Sequence, residues 1–114
     1  MIGEVVKVIV DRPLGSVHPV YKDMIYPMNY GYVEGIFAFD KEEQDAYILG
    51  VSEPLKEFTG VVIAIVIRRN DVESKWVVAP EGMNFSKKEI SDMIWFQEKF
   101  FQSEIISYED DQKK

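Results

Sequence analysis

Gly60-Val61-Val62-Ile63-Ala64-Ile65-Val66-Ile67-Arg68 is the stretch that decides the fold class. Between its ends every residue except Ala64 is β-branched, which suits a pleated surface better than a helix. The run is far too short to cross a membrane. It therefore reads as a strand buried on both faces at the centre of the fold. Working outward, Arg69-Asn70-Asp71 is a tight turn, and Ser74 to Ala79 (SKWVVA) pairs back as the next strand. Upstream, Glu4 to Val10 (EVVKVIV), Tyr30 to Phe39 (YGYVEGIFAF) and Asp45 to Val51 (DAYILGV) supply three more strands. Gly31 and Gly35 mark a bulge or a close backbone approach in the second of these. Residues 17–27, punctuated by His18-Pro19 and Tyr26-Pro27, form an ordered loop.

After Pro80-Glu81-Gly82 the period changes. Ser86 with Glu89 makes a capping box, and Phe85 is placed to staple onto Ile90. Ile90, Met93, Ile94, Phe96, Phe101 and Ile105 give the helix an apolar face running to about Ile106. Five short strands followed by one helix predict an α+β, mainly β fold, a small barrel with the C-terminal helix packed on it. Residues 1–114 read as one domain, with the tail 107–114 frayed.

Composition narrows the partners. With no Cys there is neither a disulfide framework nor a thiolate metal site. A formal charge of −7 argues against nucleic acid, whose phosphate backbone needs a basic face. Met1-Ile2-Gly3-Glu4 lacks the basic start of a signal peptide, and no run is long enough to span a membrane. The expectation is a cytoplasmic protein.

Three patches carry chemistry. Phe39-Asp40-Lys41-Glu42-Glu43-Gln44-Asp45 is an acidic knot between two strands, readable as a solvated hairpin tip or as an oxygen-ligand site for Mg²⁺ or Mn²⁺. A calcium EF-hand loop fits badly, because Asp45 stands where Gly is needed and Val51 where Glu is needed. Tyr26-Pro27-Met28-Asn29-Tyr30-Gly31-Tyr32 and Asn70-Asp71-Val72-Glu73-Ser74-Lys75 are the other two patches. If strands two, three and five lie side by side, Asp40, Glu42, Asp45, Asp71 and Glu73 gather at one mouth, with Lys75 pointing the same way as Glu73. Such a set suits two-metal phosphoryl transfer. His18, the only His, reads as a turn residue. The Trp95-Phe96 and Phe100-Phe101 pairs read as helix core or a subunit interface, and a homo-oligomer is the expected assembly.

In these patches the sequence resembles the family I soluble inorganic pyrophosphatases. That family carries Tyr-Pro-x-Asn-Tyr-Gly-Tyr, seen here at Tyr26 to Tyr32, followed by Asp-x-Asp-x-x-Asp, which here reads Asp40-Lys41-Glu42-Glu43-Gln44-Asp45. Its two further acids and a Lys before a strand ending in Pro are matched by Asp71, Glu73, Lys75 and Pro80. The similarity runs in register from about Val8 to Glu98. It implies an OB-like five-stranded barrel and Mg²⁺-dependent hydrolysis of pyrophosphate, or of another small phosphoanhydride, with Mn²⁺ as an alternative metal. Asp40, Asp45, Asp71 and Glu73 match metal-binding carboxylates, and Glu42 falls on the position that deprotonates the attacking water. Lys75 matches a phosphate-binding Lys, and Tyr30 a Tyr lining the site. The chain also departs from the family. Glu42 is one methylene longer than the usual Asp, only Val17 to Ile25 spans a hairpin that normally carries a Lys, a Glu and an Arg, and Phe100-Phe101 stand where a Tyr-Lys pair holds phosphate. Arg12, Lys22, Arg68 and Arg69 are the available replacements, Arg12 foremost. The alternative is a module that keeps a metal site and has lost turnover.

Overall fold

The computed structural model describes residues 1–38, 40–69 and 73–107. Among them the order is β1 (Val5–Arg12), β2 (Asn29–Phe37), β3 (Glu43–Ile48), β4 (Glu57–Arg68), β5 (Ser74–Ala79), α1 (Lys87–Glu98) and β6 (Ser103–Ser107). The length of β4 governs the topology. Its first half pairs antiparallel with β1, Val61 opposite Val5 and Glu57 opposite Ile9. This pairing closes a five-stranded barrel in the order β1-β2-β3-β5-β4. β3 and β5 run parallel, and the other neighbours are antiparallel. The expected OB-like barrel with one helix is the observed fold.

The strand read as buried on both faces is not. In β4 Val62, Ala64, Val66 and Arg68 are buried, whereas Val61, Ile63 and Ile65 are half-buried and Ile67 is exposed. The register shifts between Val62 and Ala64, leaving Ile63 as an extra residue. Such a bulge turns the following side chains to the other face. Val62 accordingly packs with Val8, Val33, Ile48 and Val78 in a core made of strands alone. Ala64 and Val66 pack instead with Tyr47, Val77, Ile90 and Ile94 in a second core beneath α1.

The helix starts where the sequence places it. Ser86 Oγ accepts from the Glu89 N–H at 3.1 Å, and the Glu89 carboxylate accepts from the Ser86 N–H at 2.8 Å. It ends sooner, at Glu98 rather than near Ile106. The cause lies in β4, which outruns β1 and leaves the backbone groups of residues 64–68 without a neighbour along that edge. Unpaired strand edges demand a partner. Ser103 to Ser107 turn back to supply it, from Arg68 opposite Ser103 to Ala64 opposite Ser107. Ser107, assigned to the tail by sequence, is thus a buried strand residue, and residues 108–114 lie outside the described ones.

Gly31 shows why β2 needs a residue without a side chain. A Cβ there would sit 1.9 Å from the Ile9 carbonyl oxygen, so β1 and β2 cross too closely for anything larger.

Candidate active site

Register brings the three patches together. β2, β3 and β5 lie side by side, with Tyr30 opposite Tyr47 and Tyr32 opposite Asp45. In the parallel pair Ala46 faces Trp76, so Asp45 and Lys75 stand one step before them on neighbouring strands. Val66 of β4 faces Lys75 on its other side. Since alternate residues share a face, Tyr30, Tyr32, Asp45, Tyr47, Lys75 and Arg68 belong to the face that also carries α1.

Two clefts open on that face. One, of about 400 Å³, is walled by Asp11, Asp40, Glu42, Glu43, Asp45 and Glu73. The other, of about 320 Å³, presents Arg12, Arg68 and Lys75 together with the rings of Tyr21, Tyr26 and Tyr30. Asp11 and Asp45 line both. A cavity of about 330 Å³ beside Gly3, Val61 and Phe85 lies away from this chemistry and has no ionisable side chain in its wall.

Lys75 stands where the clefts meet. Its side chain is only 4% exposed, with Nζ 2.6 Å from Asp45 Oδ2 and 2.9 Å from Glu73 Oε2. Burial opposes the ammonium charge, but the Tyr30 oxygen, the Asp45 carboxylate and the two hydrogen bonds outweigh it. The Lys75 pKa is raised above its ordinary 10.5. Burial also raises the phenol of Tyr30 well above 10, against the opposing pull of Lys75, so Tyr30 remains a neutral hydroxyl. Asp11 is raised from 3.8, first by loss of hydration in the cleft mouth and then by Asp45, with Arg12 opposing.

The acidic knot forms the tip between β2 and β3. Asp40 Oδ1 accepts from the Glu42 N–H at 3.0 Å, the Ala38 N–H donates to the Glu42 carbonyl at 2.7 Å, and Lys41 takes a left-handed φ of 69°. Asp40, Glu42 and Glu43 are exposed around the acidic cleft. Asp71 lies outside the described residues.

Beneath the cationic cleft runs a buried network that the sequence reading missed. Arg68 and Glu98 pair through two bonds, Nε to Oε1 at 3.1 Å and NH2 to Oε2 at 2.7 Å, with side chains 4% and 3% exposed. The Tyr47 hydroxyl donates to Glu98 Oε2 at 2.6 Å and accepts from Gln97 Nε2 at 2.7 Å, while the Tyr26 hydroxyl donates to Gln97 Oε1 at 3.2 Å. Ser103 Oγ donates to Glu98 Oε1 at 2.6 Å. Arg68 also reaches Glu73 Oε2 at 3.2 Å, which ties this network to Lys75. In the structure Glu98 ends α1, where an acid opposes the macrodipole and no basic residue shares the last turn; the sequence, read as a helix to about Ile106, carries no such signal.

Of the replacement cations, Arg12 and Arg68 line the cleft; Lys22 and Arg69 do not, Arg69 pairing with Glu104 at the surface. Arg12 Nε is buried without a hydrogen-bond partner among the described residues. His18 is a turn residue as expected, its Nδ1 accepting from the N–H groups of Val20 and Tyr21 at 3.1 Å each. The Phe100-Phe101 pair divides. Phe101 lies under the Arg68 guanidinium at 3.7 Å, whereas Phe100 is 60% exposed against Tyr21.

Solved structures similar to this chain include bacterial inorganic pyrophosphatases. The enzyme from Ehrlichia chaffeensis superposes with a TM-score of 0.75 at 14% identity, covering 99% of this chain and 92% of its own. That from Coxiella burnetii gives 0.69 at 16%, over 99% and 92%, and that from Neisseria gonorrhoeae 0.66 at 17%, over 97% and 87%. The chain has the pyrophosphatase fold. No family model and no curated protein matches the sequence.

Set on the pyrophosphatase fold, the carboxylates can be tested against the metal that the sequence resemblance implies. Among the described residues no three His, Asp or Glu side chains are grouped as a cage, and Asp45 and Glu73 both bind Lys75. Mg²⁺ does not need such a cage: it keeps several waters and takes one or two carboxylates. The open acidic cleft, with all-oxygen donors on several sides, fits a hydrated cation of that kind. Among the described residues no helix is long and apolar enough to cross a membrane.

Proposed function

We propose that the protein hydrolyses a small phosphoanhydride, with inorganic pyrophosphate as the reference substrate. The observation that carries this reading is the adjacency of an acidic and a cationic cleft that share Asp11 and Asp45, with the buried cation of Lys75 at their boundary. An acidic wall alone would repel a phosphate. A cationic wall alone would hold it without activating water.

In this reading Asp40, Asp45, Glu73 and Asp71 would hold Mg²⁺ or Mn²⁺. When bound, the cation supplies positive charge against the phosphate oxygens and makes the attacking water more acidic. The chain's own residues do the rest. Lys75 and Arg12 bind phosphate oxygens, and Arg68 adds to the positive field of the cleft floor while it holds Glu98. Tyr30 offers a neutral hydroxyl that can donate to a phosphate oxygen without adding negative charge. Glu42, exposed at the edge of the acidic cleft, accepts the proton of the attacking water. The extra methylene of Glu42 gives this carboxylate more reach from the hairpin tip than an Asp would have.

The same reading has the protein working in the cytoplasm. It includes a homo-oligomer assembled through α1, supported by Met93 and Trp95, which are 38% and 58% exposed on that helix. The test is phosphate release from pyrophosphate by purified protein with Mg²⁺ or Mn²⁺ at neutral to alkaline pH. Metal-dependent turnover that vanishes in Asp45→Asn, with the fold intact by circular dichroism, is the expected result. Absence of phosphate release with either metal from pyrophosphate and from other small phosphoanhydrides overturns the hydrolytic reading and leaves a binding module.

A further inference from the structure

The cationic cleft carries more aromatic surface than an inorganic anion can use. Its rings form a continuous series from solvent into the core. Phe100 and Tyr21 stack at 6.2 Å with 20° between planes, Tyr21 meets His18 at 5.1 Å, His18 stacks on Tyr26 at 6.1 Å and 8°, and Tyr26 leads to Tyr30 at 5.5 Å. Tyr26 and Tyr30 are buried and His18 is half-buried, but Tyr21 and Phe100 are 61% and 60% exposed. They stand at the lip of the cleft whose floor holds Arg12, Lys75 and Arg68. Exposed rings beside an anion clamp favour a ligand with a negative end and a flat, polarisable end. Arg12 supplies an independent observation for the negative end, since its Nε is buried with no hydrogen-bond partner among the described residues.

We infer that the cleft takes a nucleoside diphosphate rather than inorganic pyrophosphate, with the phosphates on Arg12 and Lys75 and the base stacked on Tyr21 and Phe100. This rests on the hydrolytic reading above and names its substrate class. In the reaction, water attacks the β-phosphorus and the bond to the α,β-bridging oxygen breaks. A nucleoside monophosphate leaves with that oxygen, orthophosphate carries the oxygen from water, and one proton passes through Glu42 to solvent. The negative charge of the whole chain, −7, is compatible with a single nucleotide in a local cationic cleft, though not with an extended nucleic acid.

The experiment compares ADP, inorganic pyrophosphate and dimethylallyl diphosphate as substrates with Mg²⁺, in the full chain and in Phe100→Ala and Tyr21→Ala. Calorimetric titration with α,β-methylene-ADP and with methylenediphosphonate gives affinity independently of turnover. Both substituted rings are largely exposed, and thermal melts check that the fold survives. The expected result is a kcat/KM for ADP above that for the other two substrates. Each substitution should lower the ADP value about tenfold, the scale of one lost base stack, and change pyrophosphate less than about twofold. Equal or better use of pyrophosphate, with no effect of either substitution on ADP, overturns the inference and leaves the hydrolytic reading standing. A preference for dimethylallyl diphosphate also overturns it, because an aliphatic tail then occupies the lip. If no substrate is hydrolysed, binding of α,β-methylene-ADP weakened about tenfold by Phe100→Ala still supports the site, whereas indifference to the substitution removes it.

Discussion

Lys75 Nζ and Asp45 Oδ2, 2.6 Å apart, form the partition between a cleft of carboxylates and a cleft of cations. Each holds the other in place, and the two kinds of substitution have different consequences. In Asp45→Asn, Lys75 keeps Glu73 at 2.9 Å, so the fold survives while one oxygen donor of the acidic cleft is weakened. In Lys75→Met the stem volume remains but Asp45 loses the ammonium that holds it, while Glu73 keeps its contact with Arg68. Both variants should lose about 10²-fold or more in kcat, since each removes an electrostatic or positioning element from the site. Steady-state phosphate release at several Mg²⁺ concentrations separates them. Asp45→Asn raises the Mg²⁺ needed for half-maximal rate, and Lys75→Met raises KM for substrate. Identical profiles for the two variants would contradict the division of labour.

Glu42 is the proposed proton acceptor, and it lies exposed on the hairpin tip with its N–H held by Asp40. Glu42→Gln keeps shape and removes basicity. It should reduce kcat by about 10²–10⁴-fold, the range of general base catalysis, while thermal stability stays within about 0.5 kcal/mol, as for an exposed position. A Gln variant with near-normal kcat assigns the proton to another group.

Arg68 and Glu98 form a buried, two-bond ion pair. Removing Arg68 leaves the Glu98 carboxylate buried without its guanidinium, which costs about 3–5 kcal/mol, whereas removing Glu98 leaves Arg68 still paired with Glu73. Arg68→Met should therefore lower stability by that order in urea titrations and Glu98→Gln by less, and the double substitution Arg68→Met with Glu98→Leu should recover much of the Arg68→Met loss. A double variant as unstable as the sum of the singles would mean that the pair is not coupled.

The barrel was legible because its signals are local. The β-branched run from Val61 to Ile67, the turn residues and the Ser86/Glu89 box each constrain their own segment. The site was legible in part for the same reason: alternate residues on neighbouring strands share a face, so register alone brings Asp45, Glu73 and Lys75 together. What could not be read depends on pairing across the fold. The shortness of α1 follows from an edge of β4 that β6 covers, and the division of β4 between two cores follows from a bulge at Ile63. Glu98 was overlooked because a Glu in a helix is unremarkable until Arg68, Tyr47 and Ser103, from three other segments, converge on it.

Gly31 tests how closely β1 and β2 must cross. A methyl at this position would meet the Ile9 carbonyl oxygen at 1.9 Å and the Ile9 carbonyl carbon at 2.8 Å, both backbone atoms that cannot rotate away. Gly31→Ala should therefore destabilise by more than the roughly 1 kcal/mol typical of point substitutions. Gly82→Ala, where nothing lies within 4 Å but φ is 82°, should cost less, through backbone strain alone. Thermal melts of the two variants give the order, and a milder effect at Gly31 would show that β1 and β2 can separate.

Stability should fall in acid through Glu98 specifically. Burial alone would push its carboxyl pKa up, but hydrogen bonds from Arg68, Ser103 and Tyr47, with the charge of Arg68, outweigh burial and bring the pKa below the ordinary 4.5. A group whose pKa is lower in the folded state releases its proton more readily there than in the unfolded chain. Its stabilising contribution is complete above about 4.5, the unfolded value, and is lost as pH drops through the lower folded value. Urea titrations from pH 7 down to pH 3 should show the wild-type free energy flat at first and then falling steeply below about pH 4.5. In Glu98→Gln the free energy starts lower at pH 7 and falls less steeply, so the two curves converge in acid. Parallel curves would mean that another carboxylate carries the acid sensitivity.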